Sequence, residues 1–225
     1  MRAIFVAGWL SAGLLGTSTT AHGQGGATPQ PEHLLNVKLN LFPIVAGGYH
    51  VSVEKMWRAT SRHALMLTPQ LYHGAVKALT SDLSEGAHDR VRGYGLEAQH
   101  RIYLSGRAAG AQGPYVAYGP SYQHFRMQFD AKSWAAERSP DGLSYYEYRL
   151  RRQSETIDRY GATLVVGHQF FLPELPVLFD VFLGLGVRKA SSRATIPGNY
   201  YESGMSNYGS EGRYISIGFR AGVAL

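Results

Sequence analysis

Histidine is the residue type in this chain best suited to acid–base chemistry, and the chain has nine of them. A hydrolase or acyltransferase with a serine nucleophile needs a histidine positioned beside the hydroxyl. His100 and His168 fall on the outward face of predicted strands, and no serine lies two positions away on that face. The sequence therefore contains no catalytic constellation, and we predict no enzyme. A lipid-modifying enzyme of the outer membrane is kept as an alternative function.

The same residue types are too dispersed to predict a metal or cofactor site. The histidines show no ligand-like spacing, and the lack of cysteine excludes thiolate ligands and disulfides. No glycine-rich phosphate loop stands between a strand and a helix. The net charge is +6, but the basic residues form no stripe that could follow a nucleic acid backbone. We therefore expect no metal, no cofactor and no nucleic acid partner.

A second set of chemically active residues consists of charged side chains that alternate with apolar ones. Alternation places them on one face of their strands, and in a closed barrel that face lines the lumen. Because both signs are present, we expect a paired, structural polar network. A gated pore is the other interpretation, but about eight strands leave no water-filled channel. The residues predicted for this network are Lys38, Glu54, Glu97, Arg101, Asp180, Arg188 and Arg220.

Within that network the sequence predicts one specific contact. If Phe42 lies opposite His50 in the first hairpin, Lys38 falls directly opposite Glu54, within reach of an ion pair. Glu97 and Arg101, by contrast, share one strand and are about 13 Å apart at 3.3 Å per residue. They are too distant to bond, so each needs partners on neighbouring strands.

Two long connections, residues 128–158 and 190–212, are rich in tyrosine and arginine. Binding residues concentrate on loops held by rigid scaffolds, and both residue types are enriched at interfaces. These loops are therefore candidates to contact an extracellular ligand or protein. Arginines near the outer leaflet could equally meet anionic lipid headgroups, and the sequence leaves both interpretations open. The candidate contacts are Trp134, Tyr145, Tyr146, Arg149, Tyr200 and Tyr201.

The elements that position these residues are predicted to be β-strands, since apolar residues recur at every second position. In the last segment, for example, Ile215, Ile217 and Phe219 alternate with Ser216 and Gly218. Strand lengths of about 9–13 residues suit tilted membrane-spanning strands. The sequence thus predicts an all-β fold, a closed antiparallel up-and-down transmembrane barrel of about eight strands. We place the eight predicted strands near residues 35–42, 49–57, 64–73, 92–104, 115–127, 159–171, 177–189 and at the C-terminus.

Two of these strands are less regular than the others. Pro69 in the third strand predicts a bulge or a local break, because proline cannot donate to a ladder. The apolar run Leu164-Val165-Val166 blurs the alternation of the sixth strand. The phase of both strands is therefore left open.

From the second strand onward, the connections alternate between short and long. Residues 58–63, 105–114 and 172–176 are the short connections, and residues 74–91, 128–158 and 190–212 are the long ones. Outer-membrane barrels have short periplasmic turns and long extracellular loops. This pattern predicts both termini on the periplasmic side, with the short connection 43–48 as an exception on the outer side.

Alternation alone fits both a membrane barrel and a secreted, lipocalin-like binder of a small ligand, because both have eight strands. A lipocalin turns its apolar face inward, whereas a membrane barrel turns it outward. The apolar face here carries few charges, and aromatic residues such as Tyr49, Trp57 and Phe219 lie near strand ends, as interfacial girdles do. We therefore predict a membrane barrel whose partners are outer-membrane lipids, with the lipocalin-like binder as an alternative.

The N-terminus has the features of an export signal. Arg2 precedes an apolar run from Ala3 to Leu15, and Ala21-His22-Gly23 is a small-x-small cleavage pattern. The run is too short for a membrane-spanning helix, which needs about 20 apolar residues. We predict a cleaved signal peptide at 1–23, a flexible periplasmic lead-in at 24–33 and the barrel domain at 34–225. The predicted location is the outer membrane of a Gram-negative bacterium.

Two stretches of strand pattern carry a family resemblance. Asn36-Val37-Lys38-Leu39-Asn40-Leu41 leads to Val51-Ser52-Val53-Glu54, and Gly167-His168-Gln169-Phe170 leads to Asp180-Val181-Phe182-Leu183-Gly184-Leu185-Gly186-Val187-Arg188. In this pattern the chain resembles small outer-membrane β-barrel proteins of Gram-negative bacteria, including an uncharacterised family of domain-of-unknown-function barrels, OmpA- and OmpX-like in architecture. The chain departs from many such barrels in ending on Leu225 rather than on an aromatic residue. The resemblance implies a fold and a location and supplies no catalytic residues. The expected role is structural or surface-binding through the loops, without a wide pore.

Overall fold

The described residues of the protein, in a computed structural model, are 34–45, 47–57, 62–75, 89–104, 111–173, 175–196 and 208–225. They form eight antiparallel strands joined in chain order, and β1 pairs with β8 to close the sheet into a barrel. The predicted all-β, closed, up-and-down architecture is thereby confirmed. The strands are β1 (Leu35–Asn40), β2 (Gly48–Met56), β3 (His63–Ala75), β4 (Arg90–Tyr103), β5 (Gly113–Arg138), β6 (Ser144–Phe171), β7 (Val177–Ala194) and β8 (Gly212–Ala224).

A single helical turn, α1 (Phe42–Val45), connects β1 to β2. Within the described part of the chain, no helix has the length and apolar character needed to cross a membrane. The predicted signal peptide and lead-in fall in residues 1–33, which lie outside the described residues.

Side chains alternate between the inside and the outside of the barrel, as the sequence pattern predicts. In β3, Leu65 and Leu67 are exposed on the outside, whereas Met66 is buried inside. In β6, Leu164 is exposed and Val165 is buried. The structure thus gives the phase of the third and sixth strands, which the sequence pattern left open.

The connection predicted at residues 128–158 is not a loop, because β5 and β6 continue through it. The two strands stay paired up to Arg138 and Ser144, and the turn Ser139-Pro140-Asp141-Gly142 reverses the chain. Gly142 donates its N–H to the Ser139 carbonyl at 2.9 Å and has a φ of 82°, which glycine adopts at little cost. Among the described residues, no third strand pairs with 129–138 or 144–153. We call these two segments the projecting hairpin.

The other predicted long connection is also shorter than expected. β7 continues to Ala194 and stays paired with β6 up to Glu155. Residues 190–194 are small or polar, so they lack the apolar alternation that predicts a strand. The barrel has two ends. Leu35 and Ala224 lie at one of them, which we call the terminal end. The projecting hairpin extends from the other, which we call the hairpin end.

The first hairpin is paired two residues away from the predicted register. Asn40, not Phe42, lies opposite His50. The physical reason is that Phe42 begins the helical turn α1 and so leaves the strand. A shift of two residues preserves the faces, since side chains alternate with a period of two. Lys38 and Glu54 therefore both still point inward.

Pro69 interrupts the sheet on one side only. The ladder between β3 and β4 runs through Pro69 without a break, so the predicted bulge is wrong. Pairing with β2 stops after Gln70 and resumes at Leu67 in the same register. The predicted local break is thus confirmed on the β2 side, where proline has no N–H to donate.

Among the described residues, two clusters of buried apolar side chains lie inside the barrel. The terminal cluster lies near the terminal end and consists of Met56, Ala64, Tyr103, Ala111, Tyr115, Ala117, Val165 and Phe182. The hairpin cluster lies toward the hairpin end and consists of Tyr72, Val91, Phe125, Met127, Phe129, Ile157 and Tyr208. Side chains therefore fill the lumen near both ends, as expected for a narrow barrel.

Candidate functional site

Glu54 is one of two carboxylates in a buried ion network at the terminal end of the lumen. Its Oε2 accepts a hydrogen bond from Lys38 Nζ at 2.5 Å, and its Oε1 lies 3.4 Å from Arg101 Nη1. Tyr103 donates its hydroxyl to Oε1 at 2.7 Å, and Asn36 donates its amide to Oε2 at 3.3 Å. The predicted contact between Lys38 and Glu54 is present, and it is diagonal across the ladder rather than directly opposite.

Asp180 is the second carboxylate of the ion network. Its Oδ2 lies 3.0 Å from Arg101 Nη2, 3.1 Å from Arg220 Nη1 and 3.4 Å from Lys38 Nζ. Tyr115 donates its hydroxyl to Oδ1 at 2.6 Å. Because Lys38 and Arg101 each contact both carboxylates, the network joins β1, β2, β4, β7 and β8 across the lumen.

The ion network is closed to solvent. The side chains of Lys38, Glu54, Arg101 and Asp180 are fully buried, and Arg220 keeps only 2% of its surface. A buried charge costs several kcal/mol unless it is paired and hydrogen-bonded. This geometry fits the structural polar core that the sequence favours over a gated pore.

The sequence analysis missed four neutral members of the network, namely Asn36, Tyr103, Tyr115 and Gln169. Gln169 accepts hydrogen bonds from Lys38 Nζ and Tyr103 Oη, and donates its amide to the Ala111 carbonyl. Tyr115 packs its ring under the Arg101 guanidinium, 4.3 Å from the ring centroid. Both Gln169 and Tyr115 occupy inward positions of the alternating pattern. The signal was present, but a search for charge passes over amide and phenol groups.

The inner face also makes room for its arginines with glycine. A Cβ at Gly218 would lie 2.3 Å from the Phe182 ring. That ring in turn lies 3.8 Å below the guanidinium of Arg220. The absence of a side chain at Gly218 therefore permits a cation–π contact inside a narrow barrel.

Glu97 and Arg188, which the sequence assigns to the same network, lie apart from its two carboxylates. Glu97 accepts a hydrogen bond from Gln99 Nε2 at 2.6 Å. Arg188 donates to Ser210 Oγ and lies 4.7 Å from the centroid of the Tyr214 ring. Both residues line a cavity of about 150 Å³ on the hairpin side of the ion network.

Among the described residues that line this cavity, arginines outnumber carboxylates. Arg159, Arg188 and Arg220 face it together with Glu97. Arg159 was not predicted, because it stood at the edge of its predicted strand. It donates from Nε to Gln123 Oε1 at 2.7 Å. A polar cavity of this size holds a few waters.

The projecting hairpin carries a face of exposed aromatic residues. Trp134 lies directly opposite Tyr148, with ring centroids 5.1 Å apart, and Tyr146 and Leu150 extend the same face. The structure thus brings together Trp134 and Tyr146 from the predicted surface contacts. Tyr145 and Arg149 lie on the opposite face of the hairpin. Tyr200 and Tyr201 lie outside the described residues.

Ion pairs hold that opposite face together. Glu137 Oε1 accepts hydrogen bonds from Arg151 Nη1 at 2.7 Å and from Arg149 Nη2 at 3.0 Å. The hydrogen bond from Arg151, with added attraction from Arg149, lowers the pKa of the Glu137 carboxyl. Exposed ion pairs contribute little each, so they align the two strands more than they stabilise the fold.

Among the described residues, no serine hydrogen-bonds to either of the two histidines considered for catalysis. His100 shares hydrogen bonds with His63 Nδ1 at 3.1 Å and with the Tyr118 hydroxyl at 2.9 Å. The ring of His168 lies 6.3 Å from that of Phe170. Within the described residues, no group of three or more His, Cys, Asp or Glu side chains could hold a metal ion.

Comparisons with known proteins show no family for this chain. No protein-family model matches the chain, and no curated protein matches its sequence. Two solved structures from Acinetobacter baumannii, CarO and CarO2, are similar in structure. They are 10% and 12% identical, with TM-scores of 0.39 and 0.37, and each alignment covers 86% of this chain and 98% of the other. At these values the likeness carries no argument about function.

Proposed function

We propose that this protein is an outer-membrane β-barrel of a Gram-negative bacterium, exported with a signal peptide that is cleaved after residue 23. The observation that carries the proposal is the polarity of the barrel, which has charges buried inside and large apolar side chains exposed outside. Water disfavours a continuous apolar surface of this kind, whereas lipid accommodates it. The exposed apolar residues include Val51, Val53, Leu65, Leu67, Leu96, Leu164, Val166, Val181, Leu183, Leu185, Ile215 and Ile217. We call them the apolar belt.

Aromatic rings near both edges of the apolar belt support the same proposal. Toward the terminal end, Trp57 and Phe170 are exposed on the outside, whereas Phe219 lies within the belt, directly opposite Val181. Toward the hairpin end, Tyr49 and Tyr94 are exposed in the same way. Aromatic girdles at the two membrane–water interfaces are typical of outer-membrane barrels. This placement would put the termini in the periplasm and the projecting hairpin outside the cell.

The two alternative functions fit the geometry less well. A lipocalin-like binder would need an apolar interior around its ligand, and this lumen holds a buried ion network. A lipid-modifying enzyme would need a serine beside a histidine base, and His100 instead contacts His63 and Tyr118. A wide pore is likewise disfavoured by the two apolar clusters inside the barrel.

Within this proposal, the projecting hairpin is the surface that meets an extracellular ligand or protein. Its face of Trp134, Tyr146, Tyr148 and Leu150 is exposed. Aromatic side chains are the common anchors of protein interfaces, because they bury a large area with few rotatable bonds. The barrel then acts as the membrane anchor of this surface, with outer-membrane lipids around its apolar belt.

Fractionation of a Gram-negative host that expresses the full chain tests the proposal. We expect the protein in the outer-membrane pellet, resistant to urea washing and extracted only by detergent, with heat-modifiable gel migration. Val181→Arg should lower this membrane yield, because a charge at mid-bilayer costs about 2–4 kcal/mol. Val181→Leu is the matched control and should leave the yield unchanged. Native protein in the soluble periplasmic or culture fraction would overturn the proposal.

A further inference from the structure

Three arginines meet on the outside of the barrel near the hairpin end. Arg92 on β4 lies directly opposite Arg126 on β5, and Arg90 lies two residues further along β4, opposite Gln128. Together these four residues line a surface pocket of about 280 Å³. All four side chains are exposed, and no carboxylate lines the pocket among the described residues.

This arrangement is unfavourable unless something neutralises it. Like charges directly opposite each other on one face of an antiparallel ladder destabilise the pair. Within the described residues, none of the three arginines has an ion pair. The carboxylates on the same face are engaged elsewhere, since Asp158 contacts His124 and Tyr122, and Asp130 contacts Arg152.

The position of the pocket indicates which anion would neutralise it. Arg92 lies two residues beyond the girdle residue Tyr94, whose ring stacks on His124 at 5.1 Å. Arg126 lies two residues beyond His124 in the same direction. If the girdle marks the edge of the bilayer, the pocket is at the level of the outer-leaflet headgroups.

We propose that Arg90, Arg92 and Arg126 form a binding site for a phosphate monoester on the headgroup of an outer-leaflet lipid. A phosphate monoester carries close to two negative charges and three acceptor oxygens. Guanidinium groups match phosphate oxygens with paired, charge-assisted hydrogen bonds, which are about twice as strong as neutral ones. The acyl chains of the lipid would extend from the pocket along the apolar belt. This apolar contact would add to the affinity of the lipid, and free phosphate cannot make it. The inference rests on the proposed membrane location.

The test measures lipid binding by native mass spectrometry in uncharged detergent micelles, so it does not depend on membrane insertion. The probes are phosphatidic acid, diacylglycerol with the same acyl chains and inorganic phosphate. The variant is Arg90→Gln with Arg92→Gln and Arg126→Gln. The matched control is Lys189→Gln with Arg193→Gln and Arg213→Gln, three exposed cations at the hairpin end of β7 and β8.

We expect phosphatidic acid to bind saturably and diacylglycerol not to bind. The arginine variant should lose at least about tenfold in affinity for phosphatidic acid, and the control variant should bind as the wild type does. Equal losses in both variants would mean attraction by net charge alone and would overturn the site. If inorganic phosphate binds as tightly as phosphatidic acid, the proposal that the site recognises a lipid headgroup is wrong.

Thermal unfolding of Arg92→Gln provides a second readout. In uncharged micelles this variant should unfold at the same temperature as the wild type or higher, because repulsion with Arg126 is removed. Phosphatidic acid should raise the unfolding temperature of the wild type and not that of the variant. An equal increase in both would contradict the site. Failure of the membrane proposal would appear separately, as soluble protein in the fractionation experiment.

Discussion

At the scale of single residues, the buried carboxylates of the ion network show how a narrow barrel tolerates charge. Glu54 and Asp180 each accept hydrogen bonds from a tyrosine hydroxyl and lie within 3.4 Å of two or more cationic nitrogens. Removal of one partner leaves the others buried and incompletely paired, which costs far more than loss of an exposed ion pair. The network therefore stabilises one arrangement of the strands.

A double-mutant cycle on Lys38 and Glu54 tests this account. Lys38→Ala and Glu54→Ala should each destabilise the barrel by about 3–5 kcal/mol, because each strands an opposite charge. The double variant should cost much less than the sum of the two. Urea unfolding in detergent micelles measures the free energies, with Lys189→Ala on the outer face as a control that should cost little. Additive costs would mean that the two residues do not interact.

Sequence alternation predicts which residues face the lumen, because the period of two is set by the backbone itself. It predicts less well which of these inward side chains contact one another. Lys38 does meet Glu54, but through a diagonal contact, because α1 draws Phe42 out of β1 and shifts the pairing by two residues. No local pattern indicates that Arg101, from a strand much later in the chain, joins the same two carboxylates.

At the scale of elements, the projecting hairpin is the part of the fold that departs most from the expectation of a loop. Among the described residues its two strands pair only with each other, and two-stranded ribbons are marginal alone in water. Continuity with the barrel strands, the rings of Trp134 and Tyr148, and the bonds to Glu137 hold it in register. At about 3.4 Å per residue, it reaches roughly 30 Å beyond the barrel.

Shortening the hairpin tests its independence from the barrel. Deletion of residues 132–150, with an Asn-Gly turn joining the ends, should leave the barrel folded, because an Asn-Gly turn closes a two-residue hairpin. The free energy of unfolding should change by less than about 1 kcal/mol, since barrel contacts are kept. A tag inserted at 141–145 of the intact chain should be accessible on whole cells, and one between β4 and β5 should not. Unfolding of the shortened chain, or the reverse tag pattern, would contradict this.

The hairpin had a sequence signal that hydrophobicity alone does not show. Ser139-Pro140-Asp141-Gly142 has proline and glycine at positions that favour a tight turn. The strands on either side carry polar residues on both faces, because beyond Phe129 and Ala131 neither face packs against the apolar clusters. The apolar alternation that identified the barrel strands therefore fades. Turn chemistry, rather than apolar periodicity, is the useful signal for strands that project into solvent.

At the scale of the whole molecule, the central feature is the inverted polarity of the barrel. Arg101 is fully buried, whereas Ile215, on the outside of β8, keeps 72% of its surface. This inversion was predictable because it needs only the phase of each strand and the placement of aromatic residues near strand ends. The identity of an extracellular partner was not, because binding depends on how exposed side chains group in space.

Single-cysteine scanning of β7 in lipid vesicles tests the inverted polarity most directly. The chain has no cysteine of its own, so each label reports one position. With spin labels at Val181, Phe182, Leu183, Gly184 and Leu185 in turn, we expect high accessibility to oxygen, which concentrates in lipid, at the odd-numbered positions and low accessibility at the even-numbered ones. Loss of the alternation, or high accessibility at Phe182 and Gly184 instead, would contradict a barrel whose apolar face meets lipid.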